Sequence, residues 1–279
     1  MPIQKPQQEG KEGASVLRGV LRIEVGSIND LRAVLERSKE ASVTIEFAGK
    51  DITFTRHVNP DGIPGGWKAD TATVDSTAIV REGTIVMGYA TIASGVTIRD
   101  GTTIGPGASI GPDVTIGERV QIGSRAYIGA YARIRSDAQI GDRATIFSGA
   151  RIGSGAIIGD GARIAPGATI RSDAQIGAYA TIGSGASIGD GVTIGDGVTI
   201  GDGVTIGFDA TIAPDAQIGA YATIGSGASI GDGVTIGFDA SIGDGVTIGD
   251  RAIIGDRARI GPGASIGRGA RIAPEATVP

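Results

Sequence analysis

Apolar residues recur along most of this chain with a period of six. From residue 74 to residue 278 every sixth position is Ile or Val, which gives 35 consecutive positions without an insertion or a deletion. The residue two places earlier is usually small and apolar, as at Ala90 and Val192. An amphipathic helix needs a period of about 3.6 and a half-buried strand a period of two, so neither explains the pattern. The pattern predicts very short strands, each followed by a turn.

Each predicted strand places the small residue and the Ile inside, with one outward residue between them. Gly-rich pairs such as Asp190 and Gly191 separate the strands, and glycine adopts turn conformations at low steric cost. Three six-residue units make a triangular coil of 18 residues. Successive coils then pair as parallel strands about 4.8 Å apart, and the Ile side chains stack into one core. The chain is therefore predicted to be mainly β, a parallel β-helix of about 12 triangular coils.

The unit Ile-Gly-Asp-Gly-Val-Thr occurs three times in succession, at residues 188–193, 194–199 and 200–205. It resembles the motif of the hexapeptide-repeat, left-handed parallel β-helix superfamily, which includes bacterial transferases. The resemblance covers about three-quarters of the chain. It implies a left-handed coil, although parallel crossovers are normally right-handed. It also implies enzymes to consider: acyltransferases that use a histidine base, and carbonic anhydrases that hold zinc with three histidines.

A different pattern precedes the repeats. Residues 1–14 are polar and are predicted to form a disordered tail, and residues 15–66 a small β-α-β-β cap domain. Within the cap, residues 20–25 suit a strand, and Ser27 suits the N-cap of a helix ending near Glu40. Two strands follow, around Ile45 and Phe54. Residues 67–279 form the predicted β-helix, and Trp67 is expected to pack over its first coil.

Composition narrows the classes of partner. The chain has 279 residues, no cysteine, a formal net charge of −5 and a pI near 5.0. The lack of cysteine excludes disulfides and thiolate metal sites, and the acidic charge argues against nucleic acid as a partner. The first residues lack the apolar core of a signal peptide, and no apolar run approaches the roughly 18 residues of a membrane-spanning helix. These features predict a soluble, cytoplasmic protein that does not bind a membrane.

The distribution of histidine bears directly on catalysis. The one histidine, His57, lies in the predicted cap, and residues 69–279 contain no His, Cys or Lys. A general base near neutral pH and a zinc site both depend on imidazole or a close substitute. The unbroken register also leaves no loop to cover a substrate. The sequence therefore predicts a non-enzymatic rod without a cofactor, acting as a scaffold or assembly subunit. A degenerate acyltransferase-like protein is an alternative.

Aspartates recur at the predicted corners. Asp142 and Asp160 are 18 residues apart and should occupy the same corner of neighbouring coils, as should Asp232 and Asp250. Stacked carboxylates could attract Ca²⁺. Asp-Gly is also a good turn dipeptide in its own right, and the row of aspartates is interrupted along the chain. The turn interpretation is favoured over the calcium interpretation.

Charge is distributed unevenly along the repeats. Residues 172–250 contain ten Asp and no Lys or Arg, whereas the segments on both sides are rich in Arg. Complementary fields of this kind could direct self-association, as a homo-oligomer or end to end. Arg133 and Arg151 should stack on one face and could bind an anion. The sequence does not indicate a specific protein partner.

Threonine often occupies the outward position of a strand. The outward threonines of the central repeats are Thr181, Thr193, Thr199, Thr205, Thr211, Thr223, Thr235 and Thr247. Such arrays resemble those of ice-binding proteins, so surface binding is a further alternative. However, residues 173–195 and 215–237 are identical and offset by 42, which is two coils plus one face. A face-specific site would not survive that shift, and Thr also suits strands by its intrinsic preference.

Overall fold

A computed structural model describes residues 24–47 and 49–279. The tail predicted for residues 1–14 and most of the first predicted strand lie outside the described residues. The cap contains β1 (Glu24–Val25), α1 (Ile28–Arg37), β2 (Ser42–Phe47), β3 (Lys50–Val58) and β4 (Pro64–Ala69). The helix ends at Arg37, earlier than predicted, because Ser38 is extended and its N–H bonds to the Leu35 carbonyl.

The rest of the chain forms 35 strands of two residues each, one for every Ile or Val of the six-residue pattern. They lie on three faces. Face A continues the cap sheet with Ile85–Val86, Thr103–Ile104, Gln121–Ile122, Gln139–Ile140, Ile157–Ile158, Gln175–Ile176, Thr193–Ile194, Thr211–Ile212, Ser229–Ile230, Thr247–Ile248 and Ser265–Ile266.

Faces B and C each contain 12 strands. Face B consists of Thr73–Val74, Thr91–Ile92, Ser109–Ile110, Tyr127–Ile128, Thr145–Ile146, Arg163–Ile164, Thr181–Ile182, Thr199–Ile200, Gln217–Ile218, Thr235–Ile236, Ile253–Ile254 and Arg271–Ile272. Face C consists of Ile79–Val80, Thr97–Ile98, Thr115–Ile116, Arg133–Ile134, Arg151–Ile152, Thr169–Ile170, Ser187–Ile188, Thr205–Ile206, Thr223–Ile224, Ser241–Ile242, Arg259–Ile260 and Thr277–Val278.

Strands pair in parallel with the strand 18 residues further on, as Thr193 does with Thr211. Val192 and Ile194 are buried on either side of Thr193, which is exposed. The inward residues of successive coils therefore form the continuous apolar core that the pattern predicted. The prediction of a mainly β, left-handed parallel β-helix of about 12 coils is confirmed.

Two kinds of glycine shape the corners. Gly195 follows an Ile, and a Cβ there would lie 2.6 Å from the backbone N of Pro214 in the next coil, so a side chain meets backbone. Two residues later the chain turns with a positive φ, +66° at Gly197. This second position also tolerates other residues, such as Asp215 at +59° and Tyr221 at +61°. Close approach and turning are therefore separate requirements within one hexapeptide.

The cap is joined to the β-helix through one sheet. β3 pairs with β4, and β4 pairs in parallel with the first strand of face A, where Trp67 lies opposite Ile85. β4 thus crosses the domain boundary expected after residue 66. Trp67 is buried at 1% exposure, and the Arg56 guanidinium lies 4.4 Å from its ring centre. Among the described residues no helix is both long and apolar enough to span a membrane.

Replacing one stacked isoleucine should destabilise the whole coil stack. Ile194→Ala removes a side chain with 1% exposure, and a deletion of this kind costs about 2–5 kcal/mol. The exposed neighbour Thr193 provides the control, because Thr193→Ala should change stability by no more than about 0.5 kcal/mol. Urea unfolding followed by circular dichroism measures both. Equal midpoints for the two variants would contradict the stacked core.

Candidate functional site

Helix α1 lies against face A and leaves a groove beside it. We call it the helix groove; its volume is about 660 Å³, and its polar lining includes Arg32, Gln121, Gln139, Asp142 and Asp160. The two glutamines are the outward residues of neighbouring face A strands and lie directly opposite each other. The regular coil supplies one wall, and the cap helix supplies the other. Concave sites with a few convergent polar groups are where small ligands usually bind.

Arg32 fastens the helix to this face. Its guanidinium donates to the Gly83 carbonyl and, over 2.8 Å, to Thr103 Oγ1. Burial lowers the pKa of Arg32, and the neighbouring Glu36 carboxylate opposes that change. Because these hydrogen bonds hold α1 against face A, the guanidinium of Arg32 has fewer N–H groups left for a ligand.

The aspartates at the edge of the groove cap backbone groups. Asp142 Oδ1 accepts the Ser124 N–H at 2.6 Å, and Asp160 Oδ1 accepts the Asp142 N–H at 2.8 Å. In the second pair predicted from the sequence, Asp250 Oδ1 accepts the Asp232 N–H at 3.2 Å. The carboxylates of Asp142, Asp160 and Asp250 therefore each have a structural role. The described residues contain no group of three or more His, Cys, Asp or Glu placed to hold a metal ion, and calcium binding stays a prediction.

Face C carries a second concave feature, the arginine groove. Arg133 lies directly opposite Arg151 on the neighbouring strand, as predicted, and Arg135 and Arg171 complete a set of four. The groove has a volume of about 430 Å³. Arg135 and Arg171 were not predicted from the sequence as members of this groove. The available signal was that they are 36 residues, or two coils, apart and so occupy the same position of the coil.

Other predicted site residues are dispersed. The outward threonines lie on face A (Thr193, Thr211, Thr247), face B (Thr181, Thr199, Thr235) and face C (Thr205, Thr223). Their surface-binding role stays a prediction. His57 is 5% exposed, and its Nε2 lies 3.0 Å from the Ala78 carbonyl oxygen. The imidazole therefore joins the cap to the first coil and does not reach either groove.

The period, the coils and the three faces define a hexapeptide-repeat β-helix. The chain belongs to the family described as bacterial transferase hexapeptide (six repeats). Seven matches to that family together span residues 101–279, namely 101–136, 137–172, 168–202, 197–231, 209–244, 227–262 and 245–279. No match to the chain was found among curated proteins.

Several solved structures are similar to this chain at low identity. A UDP-N-acetylglucosamine acyltransferase from Arabidopsis is 19% identical, with 64% of this chain and 70% of that chain covered and a TM-score of 0.43. A UDP-N-acetylglucosamine O-acyltransferase from Moraxella catarrhalis is 19% identical, with 68% of each chain covered and a TM-score of 0.32. The acetyltransferase domain of PglB from Neisseria gonorrhoeae, in complex with acetyl coenzyme A, is 21% identical over 56% of this chain and 57% of that chain, with a TM-score of 0.27.

The family corrects the function expected from the sequence. The prediction of a non-enzymatic scaffold rod is wrong, because residues 101–279 match a family of transferases. The ice-binding alternative is not retained as a function for the same reason. The error came from treating imidazole as indispensable. The β-helix has no histidine, but carboxylates and amides remain available to a transfer reaction.

Loss of the Arg32 anchor should loosen α1. Arg32→Met keeps the apolar stem and removes two hydrogen bonds from a charged donor, each of which is worth about 1.5–3 kcal/mol. Hydrogen exchange should become faster at residues 28–37 while the coils stay protected. The exposed Arg37 in the last turn of the same helix gives the control variant Arg37→Met. Unchanged exchange in the Arg32 variant would mean that apolar contacts alone hold the helix.

Proposed function

We propose that this chain is an acyltransferase that uses the helix groove. Membership of the bacterial transferase hexapeptide family over residues 101–279 carries the proposal. The groove supports it, because most of its lining comes from that matched segment, including Gln121, Gln139, Asp142 and Asp160. The cap contributes the second wall, so the proposed site depends on both parts of the chain.

The residues present favour direct transfer to an acceptor. The chain has no cysteine, so no acyl-cysteine intermediate forms. In the proposed reaction the acceptor atom itself attacks the carbonyl carbon of a thioester donor, and the carbon–sulfur bond breaks as the tetrahedral intermediate collapses. Holding donor and acceptor together in one groove supplies a large part of the rate enhancement by proximity.

The acceptor that suits this groove is an amine. A hydroxyl needs a base to remove its proton as it attacks, and the imidazole of His57 is buried away from both grooves. A neutral amine attacks without prior deprotonation. Its proton leaves the nitrogen afterwards, so a modest base is sufficient. The thiolate leaving group then takes a proton from solvent, and an amide and a free thiol are the products.

Asp142 and Asp160 are the proposed proton acceptors. Each uses Oδ1 to cap a backbone N–H of the preceding coil, and Oδ2 has no hydrogen-bond partner among the described residues. A carboxylate fixed by its own backbone contact presents that second oxygen at a defined place. Gln121 and Gln139 offer amide donors and acceptors that could orient the acceptor on face A.

Thiol release from acetyl coenzyme A tests the reaction. Because the chain has no cysteine, a thiol reagent reports released carrier without background from the protein. We expect release that depends on a primary amine and is much slower with the matching alcohol. Mass spectrometry of the acetylated amine confirms the product. Release that is independent of every acceptor, or the same for amine and alcohol, would overturn the amine assignment.

Two double variants distinguish an effect on the reaction from an effect on the stability of the fold. Asp142→Asn with Asp160→Asn should reduce kcat/KM by about 100-fold, the lower range for losing acid–base catalysis. Asp232→Asn with Asp250→Asn changes the same corner of distant coils, where Asp250 makes the same backbone contact with Asp232. That control should keep full activity. Equal activity in both double variants would remove the carboxylates from the reaction.

We also propose that the chain self-associates through its charge distribution. The acidic segment at residues 172–250 lies between segments rich in arginine, and complementary surfaces attract at low ionic strength. Light scattering should give a multiple of the 27.9 kDa chain mass that decreases as salt is added. A monomer at low salt would contradict this proposal.

A further inference from the structure

The arginine groove differs from another concave feature of face C, where Arg81 and Arg99 lie beside the acidic residues Glu82, Asp100 and Glu118. Its column of outward residues is otherwise Thr or Ser on the neighbouring strands, as at Thr115, Thr169 and Ser187, but it changes to Arg at Arg133 and Arg151. These two lie directly opposite each other on adjacent strands. Like charges in that arrangement repel and destabilise a sheet. Strand preference and core packing therefore do not account for the pair.

A glycine, which has no side chain, forms the floor of the groove. Gly153 occupies the position after Ile152, where a Cβ would lie 2.5 Å from the backbone N of Ser172. One coil before and one coil after, the same position holds Arg135 and Arg171. Two guanidinium groups therefore flank a bare stretch of backbone. Arg133 and Arg151 border the same space, which has a volume of about 430 Å³.

The four guanidinium groups lack the acidic partners that Arg119 and Arg257 have. Arg119 is held by Asp137 one coil further on, at 2.7 Å, and this contact keeps the pKa of Asp137 below its ordinary value. Arg257 pairs with Glu275 in the same way.

Within the described part of the chain, Arg133, Arg135, Arg151 and Arg171 form no ion pair. One acidic residue, Asp190, lines the groove. Its Oδ1 accepts the Ser172 N–H at 2.9 Å, so that oxygen is already engaged. The groove is left with a strong excess of positive charge.

We infer that the arginine groove binds a small molecule carrying two adjacent phosphate groups. Coils are spaced by about 4.8 Å, so guanidinium groups from three successive coils surround a space that fits a diphosphate. Arginine recognises phosphate oxygens with paired N–H donors, and several such contacts give specificity as well as affinity. The volume of the groove, about 430 Å³, suits a compact ligand, and the net negative charge of the chain disfavours nucleic acid.

This site is separate from the proposed acceptor groove but close to it. Both grooves draw on the coils that contain Arg135 and Gln139, and they lie on adjacent faces joined at the corner of residues 136–138. The binding inference does not rest on the transfer reaction. It is measured with the complete chain and without any acyl group, so its failure and the failure of the proposed function are distinguishable.

Titration calorimetry with inorganic pyrophosphate, orthophosphate and ADP, at constant ionic strength, tests the inference. We expect pyrophosphate to bind at least about tenfold more tightly than orthophosphate, since a second phosphate adds charge-assisted hydrogen bonds. Tighter binding of ADP than of pyrophosphate would identify a nucleoside diphosphate as the source of the diphosphate, and the reverse a ligand without a nucleoside. Equal affinity for pyrophosphate and orthophosphate would overturn the diphosphate assignment.

Variants on the same face supply the control. Arg133→Thr with Arg151→Thr restores the residue type of neighbouring coils, and it should weaken pyrophosphate binding at least about tenfold. The same double variant should raise the melting temperature without ligand at low salt, because a repulsive pair is removed.

Arg259 occupies the equivalent outward position opposite Ser241 and Thr277, and Arg259→Thr should leave binding unchanged. Equal losses in Arg259→Thr and in the double variant would show attraction to general surface charge and refute the site.

Discussion

Backbone hydrogen bonds from each coil to the next hold every other feature of this molecule in place. The Thr193 N–H donates to the Ala210 carbonyl at 2.9 Å and the Gly195 N–H to the Ile212 carbonyl at 2.8 Å, and this pattern continues from coil to coil. Two-residue strands have no stability of their own, so each coil depends on its neighbours for both backbone pairing and apolar burial. In both grooves the side chains that come from the coils are positioned at fixed intervals by this repeat.

Most of the fold follows from the sequence because one physical requirement is repeated without interruption. The inward Ile and the small residue two places before it specify strand, coil and core together. The sequence did not separate the two uses of glycine. Gly195 is required by the approach of the next coil, whereas the turn two residues later accepts Asp215 or Tyr221 at positive φ. The glycine content of the chain does not show which glycines are required by the approach of the next coil and which are required by the turn.

The candidate sites were harder to predict because they depend on contacts that are distant in sequence. The helix groove exists because Arg32 reaches Thr103, 71 residues away. The arginine groove was half predicted, through Arg133 and Arg151, but Arg135 and Arg171 occupy a position that usually holds glycine. The function was predicted wrongly because the missing histidine was given more weight than the family. The match to the transferase family covers the six-residue repeats of residues 101–279, although these repeats contain no histidine.

The 42-residue offset between the two identical segments shows that the length of an insertion determines on which face of the β-helix the following residues lie. The chain advances by one face every six residues. The number of hexapeptides between two residues therefore determines the rotation of one residue relative to the other about the coil axis. Adding three units lengthens the rod and returns every side chain to its original face. Adding one unit after Thr103 would turn everything beyond it by a third of a revolution relative to the cap helix, with the core undisturbed. Such a chain would fold equally well and place a different face of the β-helix opposite α1. Insertion of one hexapeptide can therefore change which coil residues line the helix groove without any substitution of those residues.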